Sequence, residues 1–425
     1  MQAVPSARPE VSARILYLSY DGMCDQLGAS QVLPYLDGLA RRGHDISLIS
    51  FEKPGRTPAE RAAVEELCAS AGISWFPLTY HKRPPILSSI YDVRQMRRLA
   101  ERLHVERPFS LVHCRSYLPA LVGLRMKRRH GLPFVFDMRG FWADERVEGG
   151  LWNLSNPILR AVYRYFKSME SELLAETAHI VSLTDEAKRI LLARRPADDA
   201  GPSISVIPCC VDFDAFAPVN SDARTAARAA LGIADEATVA AYLGSFGSWY
   251  MTDEMMDFFR VQLERDGSSI FLIVSRDPPA RLHAAAARRG IPPERLIIRP
   301  ATRAEVPKLV AAADYGLFFI MPVFSKKASS PTKMGELLAL ELPIVANGGV
   351  GDVSRIMDET GAGVVVDAFD DETYRKALDQ LEALAPDMRR WRDAARRWFD
   401  LGIGVASYDR IYKEVVSTDE RRHVA

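Results

Sequence analysis

The strongest constraint on this chain is a rhythm in which short apolar runs alternate with helix-length segments, begun twice. RILYLS (14–19) leads through a polar loop and a helical pattern from about Gln31 to Arg42 into DISLISF (45–51). Parallel strands need long crossover connections, usually helical, so this β-α-β order predicts a parallel sheet wrapped by helices. Further buried strands are expected at SLVHC (110–114), FVFDM (134–138), HIVSL (179–183) and SVIP (205–208). Turn-rich RRPADDAGPS (194–203) and DAFAPVNSDAR (214–224) then interrupt the pattern. It resumes with VAAYLGS, FLIVS, RLIIRP, YGLFFIM, LPIVAN and GVVVD, which predict a second doubly wound domain. The tail has helical patterns around 387–399 and 405–416 and no strand left to feed. With a hinge near 212–220, residues 1–212 form the expected first domain and 213–399 the second, with a crossover helix at 400–425.

Two cores suit the length, because 425 residues exceed what one core of roughly 250 to 300 residues accommodates. Hydrophobic residues at 48% and charged residues at 26% match a globular chain and disfavour disorder. Basic and acidic residues balance at 55 each, which argues against general nucleic-acid binding. Five cysteines include no CxxC pair, and adjacent Cys209 and Cys210 suit neither a metal site nor an ordinary disulfide, so a reducing compartment is expected. The segment MQAVPSARPEVSAR lacks an apolar region, and no stretch offers about 18 uninterrupted apolar residues for a span. A cytoplasmic protein is the expectation.

In open α/β sheets ligands bind outside the carboxyl ends of strands, which directs attention to four loops. The first, SYDGMCDQLGASQVLPYL (19–36), enters a helix whose first turn is expected after Gly28, Ala29 and Ser30, and a helix start there would suit an anion. A dinucleotide site would want GxGxxG; Gly22 and Gly28 do not supply it, although Glu52 mimics the ribose-binding acid. A long structural turn is the alternative. The second, FDMRGFWADERVEGG (136–150), crowds Asp137, Arg139, Asp144, Glu145 and Arg146 at a strand end, which suits substrate recognition and acid–base work or a surface ion-pair network.

The third, YLGSFGSWYMTDEM (242–256), places Gly244 and Gly247 where a ligand would approach the backbone, or forms an ordinary glycine turn. The fourth, MPVFSKKASSPTKMGELLALELPIVANGGVGD (321–352), reads as a helix capped by Ser330 with Pro331 as first helical residue and Glu336 one and a half turns in. Its free N–H groups, with Lys326, Lys327 and Lys333 nearby, suit a diphosphate, and Glu336 suits ribose hydroxyls. A capped helix with solvated lysines is the alternative.

On these residues the chain resembles bacterial GT-B glycosyltransferases related to the retaining family 4, also called group 1, over nearly its whole length. SYDGM-x-D-x-LG-x-SQVLPYL, DMRGFWADERVEGG, VIPCCVD, GS-x-GSWYM-x-DEM and ASSPTKMGELLA carry the resemblance. It implies an α/β fold of two facing Rossmann-like domains with parallel sheets. The second would bind the donor, the first the acceptor, and a C-terminal helix would cross back. It implies catalytic roles for Asp137, Arg139 and Glu145, and nucleotide-sugar contacts from Gly28, Gly244, Ser245, Lys326, Lys327, Ser329, Ser330, Thr332, Lys333 and Glu336.

Two departures stand out. The family pattern sets one Glu eight positions before another, and Ala328 occupies that place if Glu336 is the second. The basic pair usual after the first strand of the nucleotide domain is missing from GSFGSWYM, which would leave the diphosphate to the three lysines. No cofactor or metal is expected, because the helix start and lysines can neutralise the leaving group and there is no clear Asp-x-Asp pair. The competing readings are a nucleotide-sugar epimerase and a non-catalytic sugar-nucleotide-binding protein.

The balanced total hides one local excess. From His81 to Gly131 there are twelve Lys or Arg against three acids, beside Pro84, Pro85, Ile86 and Leu87. Anionic lipid headgroups are the expected partner, which would serve a lipid-linked acceptor at the inner membrane face. Solvated helix faces are the alternative.

Overall fold

The computed structural model describes residues 12–196, 200–218, 220–384 and 388–424. Most of the polar amino-terminal segment, parts of both turn-rich stretches and Asp387 of the expected tail helix lie outside the described residues. The chain divides into two compact units. One comprises the residues through Val147, Trp152–Ile207 and the residues from Leu401 on; the other comprises Glu148–Leu151 and Pro208–Asp400.

The first unit holds β1 (Ala13–Ser19), β2 (His44–Glu52), β3 (Ser74–Thr79), β4 (Leu111–Arg115), β5 (Phe134–Asp137), β6 (His179–Ser182) and β7 (Ser203–Val206). They form one sheet in the order β3-β2-β1-β4-β5-β6-β7, every pairing parallel. In β1 the residues Ile15, Leu16, Tyr17 and Leu18 are all buried, as a central strand covered on both faces requires. The sequence pattern does not announce β3. Its SWFPLT is only half-buried, and Pro77, which cannot donate to a ladder, is accommodated because β3 is an edge.

The second unit holds β8 (Val239–Leu243), β9 (Ile270–Val274), β10 (Leu296–Arg299), β11 (Tyr315–Phe318), β12 (Ile344–Asn347) and β13 (Gly363–Val366), each overlapping an apolar run read from the sequence. Their order is β10-β9-β8-β11-β12-β13, again parallel throughout. In each sheet the winding reverses once, between β1 and β4 and between β8 and β11. Loops leaving the two strands beside a reversal part toward opposite faces and open a crevice at the strand ends.

The helix expected from Gln31 starts earlier and is broken. Gln26–Gln31 and Leu33–Arg41 are separate helices joined at Val32, whose φ of −127° and ψ of −64° leave the helical region. Pro34 explains the break, since it has no N–H to give the carbonyl of Ser30. Gly28 has a packing reason: a Cβ there would stand 2.2 Å from the Gly22 carbonyl oxygen and 2.6 Å from Met23 Cα. The buried Glu52 carboxylate accepts from the amides of Met23 at 2.7 Å and Cys24 at 3.1 Å and from Ser50 Oγ, so it pins this loop.

The last helix, Leu401–Val424, belongs to the first unit, where Asp409 meets His44 Nε2 at 2.9 Å and Tyr35 packs edge-on to Tyr408. Among the described residues no helix is long and apolar enough to cross a membrane.

Candidate functional site

In the second unit the loops after β8 and β11 flank the winding reversal. Gly244 ends β8 at a φ of +101°, a conformation that favours glycine, and a Cβ there would lie 3.8 Å from Lys333 Nζ. The following turn is anchored at both ends. Tyr242 Oη donates to the Ser245 carbonyl at 2.6 Å, and the Phe246 amide donates to Asp277 at 2.6 Å. Where the family pattern has a basic pair, this turn carries Phe246, Trp249 and Tyr250.

The helix after β11 and its loop is Thr332–Ala339. Its cap is Pro331 in extended backbone rather than Ser330, whose Oγ instead accepts the Cys209 amide at 3.1 Å. Pro331 contributes no N–H, and the amides of Thr332 and Lys333 precede any intrahelical acceptor. From this first turn the Lys333 side chain runs inward, and its Nζ lies 3.7 Å from the ring centroids of both Tyr242 and Tyr250. The residue is 6% exposed, and the ammonium nitrogen has no hydrogen-bond partner among the described residues. Burial pulls its pKa well below the ordinary lysine value, against the opposing pull of Glu336, and the two aromatic faces partly replace lost hydration. The same burial pushes the Tyr250 phenol up to about 12.

Glu336 accepts Arg303 Nη1 at 2.6 Å, and that guanidinium lies over the Phe216 ring. Lys326 is buried with its Nζ 3.7 Å from the Trp249 centroid, and Ala328 is buried at the place of the family's first Glu. Lys327, Ser329 and Thr332 are half-buried, and Ser245 is exposed. Gly28 belongs to the first unit, whereas every other expected nucleotide-sugar residue belongs to the second.

In the first unit the loop after β1 holds Asp21 and β4 ends in Arg115, whose Nε donates to Asp21 Oδ2 at 3.1 Å. Asp137 ends β5 beside them. It was expected to face the substrate, yet it is 1% exposed and enclosed by protein. Its Oδ2 accepts Tyr408 Oη at 3.1 Å and lies 3.4 Å from His113 Nε2, while Arg139 Nη1 is 3.8 Å from Oδ1. Burial raises the Asp137 pKa, but Arg139, His113 and Arg115 outweigh it and hold the carboxyl below its ordinary value. Arg139 itself has a φ of +57°, an uncommon backbone for a residue with a side chain. Glu145 lies half-buried in the first turn of the Trp142–Glu148 helix, where neighbouring Asp144 accepts from Tyr163 and Lys167. Among the described residues no group of three or more His, Cys, Asp or Glu gathers as a metal site.

Solved structures share this architecture. HepE of Anabaena, in complex with UDP and glucose, aligns over 93% of this chain and 98% of its own at a TM-score of 0.66 and 14% identity. A glycosyltransferase from Rickettsia africae aligns over 95% and 98% at a TM-score of 0.69 and 16% identity. D-inositol 3-phosphate glycosyltransferase of Salinispora arenicola is 24% identical over 286 residues, which is 64% of this chain and 61% of that relative's length. The model of Glycosyltransferase Family 4 matches residues 30–215. The chain is a GT-B-fold protein related to the family 4, or group 1, glycosyltransferases.

Sequence reasoning missed Tyr242, Tyr250, Trp249 and Arg303 in the second unit, and His113, Arg115, Tyr408 and Tyr412 in the first. The one available signal was the aromatic Trp249-Tyr250 pair standing where the family pattern has bases.

The buried ammonium has a stability consequence. Between the depressed folded pKa of Lys333 and its ordinary 10.5, the unfolded chain binds the extra proton, so this contribution improves as pH rises through that window. Lys333→Met is expected to stabilise the ligand-free protein by on the order of 1 kcal/mol near neutrality. The gain shrinks as pH approaches the ordinary lysine value. Denaturant titrations near neutral pH and at about pH 10 check this, and a destabilised variant, or a pH-independent gain, contradicts it.

Proposed function

We propose that this chain transfers a sugar from a nucleoside diphosphate sugar to a glycan or lipid-linked acceptor, in surface polysaccharide or glycoconjugate synthesis, with retained configuration. The reading rests on Lys333: a desolvated ammonium with no hydrogen-bond acceptor among the described residues, in the first turn of a helix and beside the open backbone of Gly244. In a water-poor setting one such charge interacts strongly with an anion, and most strongly as negative charge grows on a leaving diphosphate. Lys326, Lys327 and the amides of Thr332 and Lys333 supplement it, so neither metal nor cofactor is required for neutralisation. Glu336, held by Arg303, takes the ribose hydroxyls, and Gly244, Ser245, Ser329 and Ser330 shape the remaining wall. Retention follows the family resemblance alone. The UDP and glucose bound to HepE support a nucleotide-sugar donor here.

In the first unit Arg139 and Glu145 are the side chains proposed to meet the acceptor or the reacting sugar, with Asp137 behind them. The acceptor reading draws on the surface of the Leu87–Glu106 helix. Several charges of the basic stretch are already engaged: Arg115 is buried, and Arg107, Lys127, Arg128 and Arg129 pair with Asp45, Glu176, Glu172 and Glu101. What stays exposed is compact. Leu87, Ile90 and Tyr91 are 62%, 41% and 48% exposed, with exposed Arg94 and Arg98 continuing the same helical face and Lys82 and Arg83 just before it. Apolar groups ringed by bases suit an anionic bilayer at the cytoplasmic side.

Lys333→Ala and Glu336→Ala are each expected to weaken binding of the preferred nucleotide among UDP, GDP, ADP and CMP roughly ten- to hundredfold by calorimetry. Unaltered affinity in both variants would defeat the donor-site assignment. For the membrane contact, flotation with vesicles containing anionic lipid should be appreciable at low salt and fall as salt rises. Reversing Arg94, Arg97 and Arg98 to Glu should abolish it without changing nucleotide affinity, and flotation that survives the reversal counts against the contact.

A further inference from the structure

The C-terminal helix Leu401–Val424 does more than cover the first sheet. Tyr408 and Tyr412 lie one turn apart on it and are both fully enclosed, at 4% and 0% exposure. Tyr412 Oη stands 2.7 Å from His113 Nδ1, while His113 Nε2 faces Asp137 Oδ2, which also receives Tyr408 Oη. These partners set the direction of every proton. A carboxylate only accepts, so His113 presents Nε2–H to Asp137 and its Nδ1 accepts from Tyr412. Burial supports the neutral ring, since it holds the His113 pKa below the ordinary value against the Asp137 carboxylate.

Asp137 is thereby fixed from behind. Its Oδ1 has no hydrogen-bond partner among the described residues and looks toward Arg139, and Arg115 Nη1 lies 4.0 Å from Oδ2. Arg139 and Arg115 sit at the carboxyl ends of β5 and β4, the side on which ligands bind in such sheets. Arg139 keeps a positive φ, a backbone conformation uncommon for a residue with a side chain.

We propose that Tyr408 and Tyr412 are positioning residues for sugar transfer, acting through His113 and Asp137 to aim Arg139 and Arg115; this rests on the donor and acceptor roles proposed above. The C-terminal helix is therefore part of the machinery of the unit that meets the acceptor. Neither tyrosine touches substrate. Each exerts its effect by one hydroxyl group, which makes the role separable from packing.

The test uses the full chain with Tyr408→Phe, Tyr412→Phe and the double variant, which keep the rings and remove only the hydroxyls. UDP-glucose, GDP-mannose and ADP-glucose serve as donor probes, with donor affinity and release of nucleoside diphosphate measured side by side. The expected result is turnover reduced roughly tenfold or more in each single variant, with donor affinity unchanged. Nitrogen NMR should find His113 as the Nε2–H tautomer in the wild type, with the Nδ1 resonance displaced in Tyr412→Phe but not lost from the neutral form. Wild-type donor binding with unchanged turnover in both single variants, whatever happens to their melting points, overturns the positioning role alone. Failure of the wild type to bind any probe overturns the donor reading, and this inference with it.

Discussion

The reversal of winding beside β8 governs what the second unit can do. Because β8 and β11 are neighbours whose connections leave in opposite directions, the loops after them open a crevice at the strand ends, and both polar and aromatic side chains converge there. The end of β8 and its loop bring Tyr242, Gly244 and Tyr250, and the other loop brings the start of the Thr332–Ala339 helix. Lys333 spans between them. The parallel pairing that builds the sheet thus also determines where an anion would find charge.

The chemistry of that crevice differs from the family pattern in a physically consistent way. The bases that the family pattern sets on the loop after β8 are absent, and aromatic rings stand there instead. The cations come from the other loop and lie against those rings, Lys333 on Tyr242 and Tyr250 and Lys326 on Trp249. A ring face tolerates an ammonium at modest gain but offers no hydrogen bond in return. The arrangement keeps the charge desolvated, at a cost to the ligand-free fold that an anion would relieve. Glu336 is different, since Arg303 already satisfies one of its oxygens and sets its orientation.

Much of this was legible beforehand. Apolar runs such as ILYL and FLIV predict buried parallel strands because nothing else in a chain of this composition covers both their faces. The half-buried edge strand containing Pro77 carries no such signature, and the split at Val32 depends on a single missing donor at Pro34. Gly28, expected at a nucleotide-sugar contact, and Glu52, which mimics a ribose-binding acid, serve the same loop instead: one allows a close backbone approach to Gly22 and Met23, and the other accepts the amides of Met23 and Cys24. Asp137 stood out by its neighbours in sequence, but its enclosure comes from Tyr408, 271 positions away, which no local pattern reveals.

The central claim is that the first turn of the Thr332–Ala339 helix, with Lys333, receives a nucleoside diphosphate. A crystal structure of the chain with UDP tests it most directly, because the ligand's position is read without assuming an acceptor or a rate. The account predicts a diphosphate oxygen within hydrogen-bonding distance of Lys333 Nζ and of the Thr332 or Lys333 amide, with ribose hydroxyls on Glu336. UDP bound elsewhere, with Lys333 still closed between Tyr242 and Tyr250 and contacting no phosphate, would contradict it.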